Sequence, residues 1–76
     1  MDKFYFDLMG DCAANDLVGH ACADQEEAKV HGRFIAQRIG TERPEMARPG
    51  NYISVRGEGG CEIYRAPIAS TLKVSV

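Results

Sequence analysis

The spacing of apolar residues changes from two to about four and back to two along the chain, which predicts one helix between strands. In the first ten residues Phe4, Phe6 and Leu8 alternate with more polar positions, as in a strand with one apolar face. Residues 24–40 carry apolar and small residues at helical spacing, and residues 52–66 alternate again on both sides of a glycine-rich turn, as in a hairpin. The predicted order is β-(β)-α-β-β, in which Leu17-Val18 and Ala21-Cys22 form the bracketed strand.

The helix is predicted over residues 25–39. Asp24 stands at the N-cap position and Glu27 follows three residues later, as in a capping box. Arg38 would lie in the last turn, where a positive charge complements the helix dipole. Gly40 would take the left-handed conformation that ends many helices, and Pro44 follows soon afterwards.

One face of this helix is apolar, and two of its four central residues are small. Its members are Ala28, Gly32, Ile35 and Ile39. Gly32 lowers helix propensity by about 1 kcal/mol relative to alanine, so close approach to a sheet would be the reason to keep it. Val30 and Phe34 lie to one side of the face. We prefer the interpretation that Phe34 fills the fringe of the core; the alternative is that Val30 and Phe34 form an apolar patch for a partner.

A helix with one apolar face needs a sheet to cover it. We therefore predict a single α+β domain over residues 1–76, a small antiparallel sheet of three to four strands with the helix on one face. The predicted contact joins Phe4, Phe6, Leu8, Ile53, Val55 and Ile63 of the sheet to Ala28, Gly32, Ile35 and Ile39 of the helix. Residues 41–50 are predicted to form a surface loop. The alternating Leu72, Val74 and Val76 would either add a short strand or fray.

The same alternation predicts that the tyrosines lie on the opposite face of the sheet. Tyr5, Tyr52 and Tyr64 would point away from the helix, with Arg56 among them. Tyrosine suits a surface that is half wet and half buried. An open sheet face with three tyrosines is typical of an association surface.

Composition and charge narrow the classes of function. The 76 residues are 45% apolar and 26% charged, with a net charge of −2, which disfavours a general nucleic-acid or anionic-membrane binder. Residues 1–10 do not resemble a signal peptide, and no stretch is long and apolar enough for membrane insertion. The cysteines, Cys12, Cys22 and Cys61, are odd in number and form no C-x-x-C, which predicts free thiols in the cytoplasm.

The residues that could carry chemistry lack the required spacing. Five potential metal ligands are present, but only His20 and Cys22 lie close in sequence, so we predict no metal site. Cys22 and His20 come without an orienting group or an oxyanion site, which disfavours nucleophilic catalysis. The turn at residues 57–60 lacks the Lys-Ser/Thr pair and the helix of a phosphate-binding loop. We therefore expect a non-catalytic domain without a cofactor.

Short motifs along the chain resemble those of a family of short bacterial domains of unknown function. They are Phe4-Tyr5-Phe6-Asp7-Leu8 at the start, Asp24-Gln25-Glu26-Glu27-Ala28 at the helix opening, and Ile53-Ser54-Val55, Glu62-Ile63-Tyr64-Arg65 and Pro67-Ile68 in the hairpin. The resemblance implies a small single-domain cytoplasmic protein, and it assigns no catalytic or binding residue.

Two functions fit these features. The first is a protein-interaction module, either a homo-oligomer or an accessory subunit of a larger assembly, that associates through the open sheet face. The second is a module for single-stranded RNA, in which the three tyrosines stack on bases while Arg56 and Arg65 lie near the backbone. The acidic residues on the same face and the negative net charge favour a protein partner.

Overall fold

The computed structural model describes residues 2–68, and these form one helix packed on a four-stranded antiparallel sheet, as predicted. In chain order the elements are β1 (Asp2–Met9), β2 (His20–Cys22), α1 (Gln25–Glu42), a short 3-10 helix (Pro44–Met46), β3 (Tyr52–Arg56) and β4 (Glu62–Pro67). The strands lie in the order β2-β1-β3-β4. The alternating segment at Leu72, Val74 and Val76 lies outside the described residues. No helix in the described part of the chain is long and apolar enough to cross a membrane.

The helix begins where the capping box predicts. The Asp24 side chain accepts a hydrogen bond of 2.9 Å from the backbone N–H of Glu27. The Glu27 carboxylate in turn accepts from the backbone N–H of Ala23. The Asp24 side chain therefore satisfies a backbone donor that the first turn leaves without a helical partner, and Glu27 satisfies the backbone donor just before the N-cap.

The helix ends three residues later than predicted. Gly40 is buried inside α1 and does not adopt a positive φ, and Arg38 consequently lies before the last turn. The chain leaves the helix at Arg43 (φ −135°, ψ 77°), whose N–H still donates to the Ile39 carbonyl at 2.7 Å. Arg43 precedes Pro44, and the residue before a proline is disfavoured in the helical region. The proline, not the glycine, is thus the stop signal.

Every residue of the predicted helix–sheet contact lies in the core or packs against it. The core also includes residues that the contact prediction omitted, namely Cys22, Ala36, Met46, Ala66 and Ile68. Met46 belongs to the 3-10 helix, so the segment predicted as a surface loop contributes a side chain to the interior. The small buried positions of α1 recur every fourth residue, at Ala28, Gly32, Ala36 and Gly40.

Gly32 marks the closest approach of the helix to the sheet. A Cβ atom at this position would lie 2.7 Å from Cγ2 of Val55, a side chain with no exposed surface. The nearest ring atoms of Phe6 would lie 3.8 Å away, which is ordinary van der Waals contact. The absence of a side chain at Gly32 therefore allows α1 to lie directly over the centre of β3.

The second strand is shorter than predicted. Only His20–Cys22 pair with β1, opposite Asp2–Phe4. Leu17 and Val18 lie outside the strand and are 88% and 76% exposed. They precede Gly19, whose φ of 82° interrupts an extended backbone. The prediction that Leu17-Val18 belong to this strand is therefore wrong.

Asn51 joins three parts of the chain just before β3. The residue is 3% exposed. Its Oδ1 accepts from the Asp11 N–H at 2.8 Å, and its Nδ2 donates to the Met46 carbonyl at 2.9 Å. Its backbone carbonyl accepts from Ile68. The turn after β1 passes so close that a Cβ at Gly10 would lie 2.0 Å from Asn51 Oδ1. Nothing in the sequence pattern singled out this residue.

Candidate interaction surface

The sheet face opposite α1 carries a three-by-three arrangement of side chains, called here the open face. Strand pairing sets its rows, since residues directly opposite each other on neighbouring strands share a face. The rows, read from β1 through β3 to β4, are Tyr5-Arg56-Glu62, Asp7-Ser54-Arg65 and Met9-Tyr52-Pro67. No described helix or strand lies over this face, since α1 packs on the other side, although Asp7 and Ser54 in its middle row are each only 5% exposed.

Arg56 links two neighbours on β1. Its Nε donates to Asp7 Oδ2 at 2.6 Å, and its guanidinium carbon lies 5.0 Å from the centroid of the Tyr5 ring. The Arg56 hydrogen bond holds the pKa of the Asp7 carboxyl below its ordinary value, although burial opposes it. The Asp7 residue is only 5% exposed. This ion pair is therefore partly protected from solvent, unlike most surface pairs.

A similar set of contacts occupies the β4 side of the open face. The Arg65 guanidinium carbon lies 4.7 Å from the Tyr52 ring centroid, and its Nε donates to Glu62 Oε1 at 2.8 Å. Ser54 Oγ donates to the other carboxylate oxygen of Glu62 at 2.5 Å. The hydrogen bonds from Arg65 and Ser54 lower the pKa of Glu62. Tyr5 and Tyr52 are thus each held beside an arginine that a carboxylate positions.

Tyr64 does not lie on the open face, contrary to the prediction. The register shifts within the hairpin, so that Val55 pairs with Tyr64 and Arg56 with Glu62, which leaves Ile63 as an extra residue. Tyr64 therefore shares the helix side of the sheet with Val55 and packs against the core. Its hydroxyl accepts a hydrogen bond of 3.4 Å from Arg33 on α1. The strict alternation assumed from the sequence fails at this bulge.

Val30 and Phe34 lie on the outer surface of α1. They are 55% and 56% exposed, so the preferred interpretation of Phe34 as the fringe of the core is wrong. The Phe34 ring centroid lies 6.5 Å from that of His31, which is half-buried beside Phe6. The structure therefore separates the predicted site residues into two surfaces: Tyr5, Tyr52 and Arg56 on one side of the sheet, and Val30 and Phe34 on the helix.

Asp16 supports the open face from the loop after β1. One carboxylate oxygen accepts from the N–H of Phe6 at 3.1 Å, and the other accepts from Val18 and Gly19 at 3.0 Å each. The Asp16 N–H donates to Asp7 Oδ1 at 2.8 Å. Burial raises the pKa of Asp16, but these backbone donors outweigh it and leave the pKa lowered. In the sequence, Asp16 lies three residues before Gly19, and this spacing is typical of a turn in which the aspartate side chain accepts backbone hydrogen bonds.

His20 and His31 stack face to face, with ring centroids 4.3 Å apart and planes 6° from parallel. Imidazole lone pairs lie in the ring plane, so two parallel rings do not direct them at one metal ion. Among residues 2–68 no group of three or more His, Cys, Asp or Glu side chains is placed to hold a metal. The cysteine thiols are free; Cys22 is buried, while Cys12 and Cys61 are exposed.

Comparison with known proteins assigns a family. No curated protein and no solved structure matches the chain. Residues 3–69 match the family described as a domain of unknown function, DUF6894. The match begins in β1, continues through the described helix and strands, and is consistent with the resemblance noted in the sequence. The chain therefore belongs to the DUF6894 family of domains of unknown function.

Proposed function

We propose that this chain is a non-catalytic protein-interaction domain of the bacterial cytoplasm that associates through its open face. The observation that carries the proposal is the pair of tyrosines, Tyr5 and Tyr52, each fixed beside an arginine on an uncovered sheet face. Tyrosine and arginine are enriched among the residues that dominate binding energy at protein interfaces. Because the two arginines are already positioned, less side-chain entropy is lost when a partner binds.

The charges of the open face favour a protein over RNA as the partner. Its two arginines, Arg56 and Arg65, are matched by two carboxylates, Asp7 and Glu62, so the face has no positive excess. Base stacking would have to displace the arginines from the tyrosine rings. Tyr64 lies on the opposite side of the sheet and offers no third stacking platform there. A protein partner would instead meet both signs of charge beside aromatic surface.

The size of the open face limits the expected strength of association. Strands lie about 4.8 Å apart and alternate residues about 6.8 Å apart, so the nine positions cover roughly 300 Å². A standard interface buries about 800 Å² on each partner. We therefore expect weak self-association, or a larger subunit that also contacts surface beyond these nine positions.

Light scattering over a dilution series that extends to high micromolar concentration tests self-association. A pull-down from native lysate, with and without nuclease, tests for other partners. The double variant Tyr52→Ala/Arg65→Ala should lose the association, while the matched control Val30→Ser/Phe34→Ser should retain it. The reverse pattern would move the contact to the helix, and loss of capture after nuclease treatment would favour RNA. A strict monomer that captures no protein contradicts the proposal.

A further inference from the structure

The stacked histidines form a side-chain contact between the edge strand β2 and the helix, in addition to the Cys22 side chain that β2 contributes to the core. His20 belongs to β2 and His31 to α1, and their parallel rings lie 4.3 Å apart. The His31 ring also meets Phe6 of β1 at a centroid distance of 4.8 Å and an angle of 76°. A single half-buried imidazole thus contacts aromatic groups from two strands.

The strand that this stack holds is weakly attached elsewhere. β2 pairs with β1 through three residues only. It carries Cys22, which is 1% exposed and whose thiol lies 3.9 Å from the His20 carbonyl oxygen. Local opening is expected at short edge elements that have few hydrogen bonds. Any opening of β2 would expose the Cys22 thiol.

Protonation changes the forces across the stack. Burial lowers the pKa of His31 below its ordinary value, His20 lowers it further, and Glu27 on the same helix opposes both. From β1 the neighbour is the uncharged Phe6, and from β2 it is His20. Two imidazolium rings placed face to face repel each other, and the half-buried ring also loses hydration.

We propose that the His20–His31 stack is a pH-sensitive contact that holds β2 on α1 when both rings are neutral and releases β2 when the pair takes up protons from solvent. We expect the release to be local, because β2 contributes a single residue, Cys22, to the core. Histidine is the side chain whose ordinary pKa places such a change between about pH 5 and 8. This inference does not rest on the proposed function of the open face.

The rate at which the Cys22 thiol is labelled measures the opening of β2. In a Cys12→Ser/Cys61→Ser background, which removes the exposed thiols, a pyridyl disulfide reagent labels Cys22 alone. The protection factor is the labelling rate of the urea-unfolded chain divided by that of the folded chain at the same pH, measured with EDTA present. We expect protection to fall about tenfold between pH 7.5 and 5.5, because the open strand takes up protons more readily than the stacked pair. Far-UV circular dichroism should not change over this range.

Two substitutions in the same background test the assignment to the stack. His31→Phe keeps an aromatic ring on Phe6 without a titratable group, and His20→Asn alters an exposed side chain. His31→Phe should remove the pH dependence of protection, and His20→Asn should reduce it, because the repulsion between the rings is lost while His31 can still be protonated. Unchanged protection in the parent chain, the same tenfold fall in both variants, or global unfolding at pH 5.5 would overturn the proposal.

An NMR titration of the unsubstituted chain serves if His31→Phe does not fold. The amide of Cys22 should shift together with the imidazole resonances of His31 as the pH falls. Titration of the His31 ring with no change in the β2 amides would also overturn the proposal.

Discussion

Replacement of Gly32 by alanine separates helix propensity from packing, because the two effects have opposite signs. Alanine favours the helix by about 1 kcal/mol relative to glycine. The added Cβ would lie 2.7 Å from Val55 Cγ2, a distance that real Cβ atoms essentially never show. Overpacking of this kind costs about 1–3 kcal/mol. We expect Gly32→Ala to lower the free energy of unfolding by about 1 kcal/mol in total.

The effect of Gly32→Ala should change sign when Val55 is shortened. Val55→Ala alone should cost about 2–3 kcal/mol, since it removes buried methyl groups. It also removes the Cγ2 atom, and the next neighbours of the new Cβ are Phe6 ring atoms at 3.8 Å. In the Val55→Ala background, Gly32→Ala should therefore stabilise by about 1 kcal/mol. The coupling between the two sites would be about 2 kcal/mol.

Urea denaturation of the four chains in a sulfate buffer measures this cycle, because sulfate stabilises a small domain enough to keep the Val55→Ala chains folded. Gln37→Ala, on the exposed side of α1, is a control that should lie within about 0.5 kcal/mol of the parent. Stabilisation by Gly32→Ala in the parent chain would refute the argument that close packing requires glycine here.

Three further predictions test the contacts that surround the core. Asp24→Ala should lower the free energy of unfolding by about 1 kcal/mol, and Asp24→Asn by less, because asparagine also caps; thermal unfolding measures both. Asn51→Ala should cost about 2–3 kcal/mol in urea denaturation, since it leaves the Met46 carbonyl and the Asp11 N–H without this partner; a cost for Asn51→Asp well below that of Asn51→Ala would argue against the Nδ2 donor as the main contribution, because aspartate keeps the acceptor and loses the donor. The lowered pKa of Asp7 gives stability that is present above its unfolded pKa of about 3.8 and is lost as the pH falls through the folded value. In a pH series of urea denaturation midpoints, Asp7→Asn should therefore lose less stability at acid pH than the parent chain does. An unchanged loss would show that other carboxylates cause it.

The spacing of apolar residues and the capping residues were sufficient to predict the helix, the hairpin and the helix–sheet contact. The small residues of α1 and the apolar positions of β1 and β3 all point to the same arrangement, and each lies where the pattern places it. Agreement between local signals and the global packing is what makes such elements predictable. The C-terminal end of α1 was missed because two stop signals compete there, and the restriction before Pro44 decides the outcome.

The open face was harder to predict because it depends on register. One extra residue, Ile63, transfers Tyr64 to the helix side while Glu62 remains on the open face. Nothing in the alternation of residues 61–66 marks the position of this bulge. Asp16 and Asn51 were missed for a related reason: each also accepts a hydrogen bond from a backbone N–H distant in sequence, and such contacts appear only once the turns are placed.

The two proposed functional features depend on different parts of the sheet. Tyr52, Arg65 and Glu62 are held by β3 and β4, which lie on the side of β1 away from β2. Tyr5 lies nearer the edge, since a Cβ at Gly19 would meet its ring at 3.0 Å. Release of β2 would therefore loosen the surroundings of Tyr5 and leave the Tyr52–Arg65 contact intact. A partner that binds mainly through Tyr52 and Arg65 would be insensitive to the histidine stack, whereas one that also needs Tyr5 would bind less tightly at acid pH.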